Sequence, residues 1–379
     1  MNIISKLPDV GTTIFAVMSK MAAENGAINL SQGFPDFPIS AELIELVNGY
    51  MKKGLNQYAP MPGVPVLREQ IAGMLELKYG YAPNPGTEVT VTAGATEALY
   101  AILTALVYKG DEVILFDPAY DCYDPAIRLN GGVPVHIPLT QPQFSIDWDV
   151  VKSKITTKTK IIMVNSPHNP SGAVLTSNDL QQLEQIAEQH DLIVLSDEVY
   201  ENIIFGATHE SVLKYPALRE RSIAVYSFGK TFHATGWKVG YIIAPPALSV
   251  EIRKIHQFLV FSVNTPVQYA LADFLKEPAN YLTIADMYQE KRDFFQTHVK
   301  ASRFDIIPCH GTYFQLLSYK NISDLNDMKM AEMLTVKHKI ASIPISVFYQ
   351  NKQDDKVLRF CFAKGEETLE KAAEILCKI

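Results

Sequence analysis

The sequence predicts an α/β protein: a large domain with a mostly parallel central sheet covered by helices on both faces, plus a smaller α+β domain. Three observations carry this expectation. Between Glu88 and Ile243, short and nearly continuous apolar runs alternate with helical patterns, which is how strands buried on both faces read. The chain has 379 residues, more than one core comfortably supports. Beyond Ser249 the alternation gives way to long helical patterns and a few strand candidates. The division expected is an N-terminal segment, 1–45, that joins the smaller domain, a large domain over 46–275, and a small C-terminal domain over 276–379.

Residues 1–40 read as irregular, with Gly11, Gly33, Pro35 and Pro38 as breakers. Ala41–Lys53 places Leu43, Leu46, Val47 and Tyr50 at helical spacing, and Asn56-Gln57-Tyr58-Ala59-Pro60 ends it. Pro65 suits a first helical turn, with Leu67, Ile71, Met74 and Leu75 as the next apolar stripe. Val89–Thr92 is a strand, and Ala93-Gly94-Ala95-Thr96 turns it into a helix through Leu106. A strand at Glu112–Phe116, a helix near Tyr123–Leu129 and strands at Pro134–Ile137 and Lys160–Val164 follow. Ser177 is the expected N-cap of a helix carrying Leu180, Leu183, Ile186 and Ala187. Further strands are Leu192–Leu195, Ile223–Tyr226 and Val239–Ile243. The last third offers helices at Ser249–Phe261, Pro266–Leu275 and Tyr281–Val299. Strands at Asp305–Ile307, Tyr313–Leu317 and Val357–Phe362 precede a closing amphipathic helix.

Composition excludes several classes. Apolar residues make up 47% and charged residues 20%, as in a globular enzyme. The net charge is −7 with no basic stripe, which argues against a nucleic-acid partner. No apolar run is long enough to span a bilayer, and Met1–Lys6 lacks a secretion pattern, so a cytoplasmic protein is expected. Cys122, Cys309, Cys361 and Cys377 form no C-x-x-C pair, and nine histidines show no metal-binding spacing, so no metal is expected.

The unusual residues collect at the carboxyl ends of the strands, where ligands bind in sheets of this kind. Lys230, within Tyr226–Tyr241, sits between Phe228, Phe232 and Trp237 in sequence; a nucleophilic lysine needs such desolvation. Gly94, Ala95 and Thr96 open a helix whose free N–H groups suit a phosphate, although close packing is the commoner reason for a glycine there. Ser227 and Lys238 flank Lys230 and can serve the same phosphate. Asp197 ends an apolar strand, either as a helix cap or as a carboxylate holding a proton on a heterocyclic nitrogen. Tyr200 lies three residues on, Asn169 offers an amide, and the ring of Tyr120 can stack on a flat ligand. Arg359, inside an apolar strand, requires an internal acid or a bound carboxylate. Gly33, in a dense turn cluster, is either a plain loop glycine or a close-approach backbone site. Together they ask for a phosphate, a ring nitrogen, a phenolic oxygen and an aldehyde, which pyridoxal 5′-phosphate combines.

On these motifs the chain resembles the class I/II aminotransferases, fold-type-I pyridoxal-phosphate enzymes. The motifs are S-Q-G-F-P-D-F (Ser31–Phe37), N-Q-Y-A-P (Asn56–Pro60), T-A-G-A-T-E-A-L (Thr92–Leu99), F-D-P-A-Y-D-C-Y (Phe116–Tyr123), P-H-N-P-S-G (Pro167–Gly172), S-D-E-V-Y (Ser196–Tyr200), S-F-G-K-T (Ser227–Thr231), G-W-K-V-G (Gly236–Gly240) and L-R-F-C-F (Leu358–Phe362). Within that family the resemblance is to the group of bacterial methionine aminotransferases and kynurenine–oxoglutarate aminotransferases (glutamine transaminase K). It implies that Lys230 forms a Schiff base with the cofactor and moves the substrate proton. It also implies that Asp197 pairs with the ring nitrogen, that Tyr200 and Asn169 bond the ring oxygen, and that Tyr120 stacks. Gly94, Ala95, Thr96, Ser227 and Lys238 would hold the phosphate. Tyr58 would reach that phosphate across a homodimer interface, and Arg359, Asn169 and Gly33 would bind the substrate carboxylate. Many relatives carry arginine where this chain has Lys238, so the charge is kept and the two-pronged geometry is lost.

The activity implied is a ping-pong transamination from methionine or aromatic amino acids, with glutamine and histidine as further donors, to a 2-oxo acid. Phe15, Phe34, Tyr58, Tyr120, Phe261 and Tyr313 are available to choose the donor, and no second arginine is evident for a side-chain carboxylate. A cysteine-conjugate or cystathionine β-lyase is the alternative on the same cofactor. A cofactor-sensing regulator is a third reading; it needs a DNA-binding domain in front, whereas family sequence begins almost at once and the charge is acidic.

Overall fold

The computed structural model describes residues 3–379. α1 (Ile14–Asn25) starts where the Thr13 side chain accepts from the Ala16 N–H and stops at left-handed Gly26. This corrects the irregular reading of 1–40: Gly11 and Gly33 flank the helix instead of breaking it, and Met18 and Ala22, one turn apart, are its buried face. β1 (Ile28–Asn29), α2 (Ala41–Lys52) and α3 (Pro65–Tyr79) follow, the last with Pro65 in its first turn.

The alternation then runs β2 (Val89–Thr92), α4 (Ala95–Leu106), β3 (Glu112–Asp117), α5 (Tyr123–Leu129), β4 (Val133–Pro138), α6 (Trp148–Lys154) and β5 (Thr159–Asn165). It continues with α7 (Ser177–Gln189), β6 (Ile193–Asp197), α8 (Pro216–Arg219), β7 (Ser222–Ser227), the one-turn α9 (Phe228–Thr231) and β8 (Gly240–Ile243). The N-cap of α7 is Thr176, not Ser177. Thr176 accepts from the Asp179 N–H while the Asp179 carboxylate accepts from the Thr176 N–H, a reciprocal pair that leaves Ser177 as the first helical residue. Among the described residues these strands form a seven-stranded sheet in the order β2-β8-β7-β6-β5-β3-β4. β3 to β7 pair in parallel; β8 alone runs antiparallel to both its neighbours. Alternate residues feed two cores. Ile161, Leu195 and Val225 face α4 with Leu99 and Ile102, while Ile162, Val194, Ala224 and Tyr226 face the other side.

The remainder comprises α10 (Pro246–Leu259), α11 (Thr265–Phe274), α12 (Ala279–Leu282), α13 (Ile284–Val299), β9 (Asp305–Ile306), β10 (Phe314–Ser318), α14 (Asp327–Lys337), β11 (Ile340–Ala341), β12 (Ile343–Pro344), β13 (Val357–Cys361) and α15 (Glu366–Leu376). The single helix expected over Tyr281–Val299 is divided at Thr283. β12-β13-β10-β9 is an antiparallel sheet. β1 pairs in parallel with β11, and the Cys361 N–H donates to Leu30 O at 2.8 Å. These bonds stitch the N-terminal segment to the C-terminal third and carry Gln32 and Gly33 over the ends of the large sheet's strands. Among the described residues, no helix is long and apolar enough to cross a membrane.

Candidate active site

A cavity of about 300 Å³ opens beyond the carboxyl ends of the parallel strands. Gly94, Ala95 and Thr96 reach it from the β2–α4 turn, Tyr120 from the end of β3, and Asn169 from the loop after β5. Asp197 and Tyr200 come from the end of β6, Ser227 and Lys230 from the β7–α9 junction, and Lys238 from just before β8. Gly33 and Arg359 close it from the N-terminal segment and β13. Tyr58 is not among its walls: it is 83% exposed, its ring edge-on to Phe261 at 5.2 Å.

Lys230 keeps different company from that expected. Phe228, which opens α9, and Phe232, which caps it, are four residues apart, share one face and stack at 5.8 Å, away from the lysine between them. The aromatic rings near the amine are those of Tyr200 and Tyr313, each centred 5.3 Å from Nζ. Nζ donates to the Tyr313 hydroxyl at 2.8 Å. Lys230 stays partly accessible through the cavity, but the dense protein around its amine lowers its pKa to about 8. The positive charges of Arg359 and Lys238 push the same way, while Cys361 and Asp197 oppose.

Asp197 is buried. Its Oδ2 accepts from the Tyr123 hydroxyl at 2.6 Å and its Oδ1 from the Val199 N–H at 3.3 Å. Burial raises its pKa to about 6, against the Tyr123 hydrogen bond, which favours the ionised form. Asn165 ties two strand ends together: Nδ2 donates to Asp197 O at 2.9 Å, and Oδ1 accepts from the Asn169 N–H at 2.8 Å. Sequence reasoning missed both Tyr123 and Asn165. The three-residue step from Tyr120 to Tyr123, across the opening of a helix, was the available signal.

At the mouth, Gly94 has φ +81, a backbone state that disfavours a side chain, and a Cβ there would stand 3.3 Å from Lys238 Nζ. α4 has no side-chain cap, so its first N–H groups face the cavity unshielded. Lys238, left-handed at φ +54, brings its ammonium to the same helix end.

Arg359 is 1% exposed, and among the described residues no acid pairs with it. One of its amino groups donates to Asn169 Oδ1 at 2.7 Å and another to Ser31 O at 3.2 Å, while its Nε has no partner. Its Cζ lies 3.8 Å from the centre of the Phe314 ring. A buried guanidinium with neutral partners and one unused donor is a site for a carboxylate. The bond to Asn169 Oδ1 also leaves the Asn169 amide N–H groups for a second acceptor.

A family model described as "Aminotransferase class I and II" matches residues 25–376. The chain belongs to the class I and II aminotransferases. It is 52% identical to the methionine aminotransferase of Escherichia coli (strain K12) over 98% of this chain and 97% of the relative. It is 33% identical to kynurenine–oxoglutarate transaminase 3 of Mus musculus, over 98% and 88%. A crystal structure of an Escherichia coli methionine aminotransferase superposes with a TM-score of 0.98 at 51% identity, covering 100% of both chains. The aminotransferase is a pyridoxal-phosphate enzyme of the fold-type-I architecture. Its residues fit that cofactor: a desolvated amine for the aldehyde, a buried acid for the ring nitrogen, and a glycine-led helix end with a cation for the phosphate.

Proposed function

We propose that this aminotransferase takes the amino group of methionine and aromatic amino acids, with glutamine and histidine as further donors, and gives it to a 2-oxo acid in ping-pong order. The observation that carries the reading is Arg359, a buried cation with a free Nε in the same cavity as the Lys230 amine. It would bind the α-carboxylate that every donor and acceptor shares. Among the described residues the cavity walls hold three cations, Lys230, Lys238 and Arg359, and each has a task. With no fourth for a side-chain carboxylate, and with Phe15 and Phe314 beside Arg359, uncharged donors are favoured. The names of the Escherichia coli and mouse relatives support the same donors. Both relatives are named for amino-group transfer, which leaves β-elimination without support.

The cofactor, when bound, supplies an aldehyde and an electron sink. Lys230 would hold that aldehyde and, as a free amine, would carry the proton away from substrate Cα. Asp197 would keep a proton on the ring nitrogen, Tyr200 and the Asn169 amide would bond the ring oxygen, and Tyr120 would stack on the ring. Ser227, Lys238, Gly94 and the N–H groups of Ala95 and Thr96 would hold the phosphate, and Gly33 with Asn169 would complete the carboxylate site beside Arg359. We place Tyr58 at the phosphate of a second subunit, so that a homodimer is the active unit. The exposure of Tyr58, Phe258 and Phe261 on one stretch of surface supports this. We keep the division 1–45, 46–275 and 276–379, in which residues 1 and 2 lie outside the described residues; the β1–β11 pairing supports it. The four free cysteines support a cytoplasmic setting.

The test follows the visible absorption of the purified holoenzyme. Methionine or phenylalanine is expected to bleach it, and a 2-oxo acid to restore it. No bleaching with methionine, phenylalanine, glutamine or histidine, or an unchanged absorption band in Lys230→Ala, overturns the proposal.

A further inference from the structure

Tyr313, whose only role above is among the aromatic residues available to choose the donor, makes the closest polar contact of the Lys230 amine. It is fully buried at the entry to β10. Its hydroxyl donates to Gly33 O at 2.5 Å and accepts from Lys230 Nζ at 2.8 Å. Lys230 Nζ also lies 3.4 Å from the same Gly33 carbonyl. A phenol has a single proton. Because that proton is committed to Gly33, the oxygen can only accept from the lysine. Burial raises the phenol well above its usual range, so the proton stays in place.

A neutral amine has two N–H donors and one lone pair. Here both acceptors, the Tyr313 oxygen and the Gly33 carbonyl, lie on one side of it. The two acceptors are themselves only 2.5 Å apart and draw an N–H of the amine to that side, so the lone pair is not spent there and stays available to the cavity that Lys230 lines. A hydroxyl free to donate would do the reverse and occupy the lone pair that must take the substrate proton. We propose that Tyr313, locked by Gly33 as an acceptor-only hydroxyl, is a positioning residue that keeps the lone pair of the free Lys230 amine available to the substrate. This rests on the proton-transfer role given to Lys230 above. It also ties that step to the N-terminal segment, since Gly33 sets the hydroxyl's direction.

Tyr313→Phe keeps the ring and removes the oxygen. Two measurements read it. The first is single-turnover amino-group transfer with methionine and with methionine deuterated at Cα. The second needs no amino acid: apoprotein is mixed with pyridoxal phosphate, and its condensation with Lys230, one water leaving, is followed by visible absorption. Losing one buried hydrogen bond is expected to slow both by about tenfold, to raise the deuterium effect, and to leave the KM for methionine within about twofold. 3-Fluorotyrosine installed at position 313, a weaker acceptor in the same shape, is expected to give a smaller slowing in the same direction, and it serves if the Phe variant misfolds. Wild-type rates in both measurements overturn the proposal. So does a raised KM with an unchanged deuterium effect, which marks a wall residue. If methionine fails as a donor in the wild type, the proposed function falls while the condensation measurement still decides on Tyr313.

Discussion

Tyr123→Phe tests how Asp197 is kept ionised. The hydroxyl lies 2.6 Å from Asp197 Oδ2, and both side chains are buried. A hydrogen bond to a charged group contributes about 1.5–3 kcal/mol. At about 1.4 kcal/mol per pKa unit, its loss raises Asp197 by about one to two units. Asp197 stands at about 6 with the bond in place, so the variant's value falls between roughly 7 and 8. At pH 7 the ionised share then drops from about nine-tenths to between about a tenth and a half. The assay is the affinity of apoprotein for pyridoxal phosphate as a function of pH. Apart from a rise near pH 8 as Lys230 loses its proton, which wild type and variant share, wild-type binding is expected to strengthen through about pH 6 as Asp197 ionises. In Tyr123→Phe the Asp197 rise is expected about one to two units later, and transamination lost at pH 7 should largely return at higher pH. A variant that binds more weakly at every pH, with its midpoint unmoved, would show that the hydroxyl only packs, and the electrostatic argument would be wrong.

Two further outcomes are expected. Arg359→Lys loses the planar fork and its stacking on Phe314, so the KM for methionine should rise about 10- to 100-fold with a smaller change in kcat; steady-state kinetics read the split. His136 binds Asp117 Oδ1 at 2.7 Å and Asp124 Oδ2 at 3.2 Å, with Arg128 and Asp9 beyond. Burial works against its charge, but the two acids outweigh it and raise the ring from 6.5 to about 9. A raised value means that its stabilisation is complete below about 6.5 and is lost as pH rises through about 9. The melting temperature of the wild type should therefore fall across that window relative to His136→Gln, and parallel curves would refute the assignment.

Much of this was legible because the relevant signals are local. A strand end followed by a glycine and a helix start (Thr92, Gly94, Ala95) is a contiguous pattern. So is an arginine within an apolar strand, which must find an anion or an acid. What escaped was set by contacts distant in sequence or by caps. α1 was hidden by its flanking glycines, although Thr13 is an ordinary cap. α14 was not read at all; its N-cap is Asn326, and its buried face, Met330, Ala331 and Leu334, packs beside α1. Phe228 and Phe232 misled because they are near Lys230 in sequence, whereas helical geometry turns them to the opposite side. Tyr313 meets Lys230 across 83 positions of chain, so only the fold reveals that its hydroxyl, and not merely its ring, matters.

Asp197 and Glu198 show why the chemistry falls to one acid and not to its neighbour. Both are buried, and burial alone would raise both. Strand alternation at the end of β6 sends them to opposite faces of the sheet. Glu198 accepts from Ser196 Oγ, the Tyr226 hydroxyl and the Val212 N–H, and meets His209 Nε2, all between 2.9 and 3.1 Å. Those partners overcome burial and lower its pKa. Asp197 has one hydroxyl and one long backbone contact, so burial wins and it rises to about 6. The saturated acid braces the strand end, and the under-partnered one keeps capacity for a proton on a ligand. Supplying Asp197 with another donor should therefore weaken cofactor binding even though it would stabilise the carboxylate.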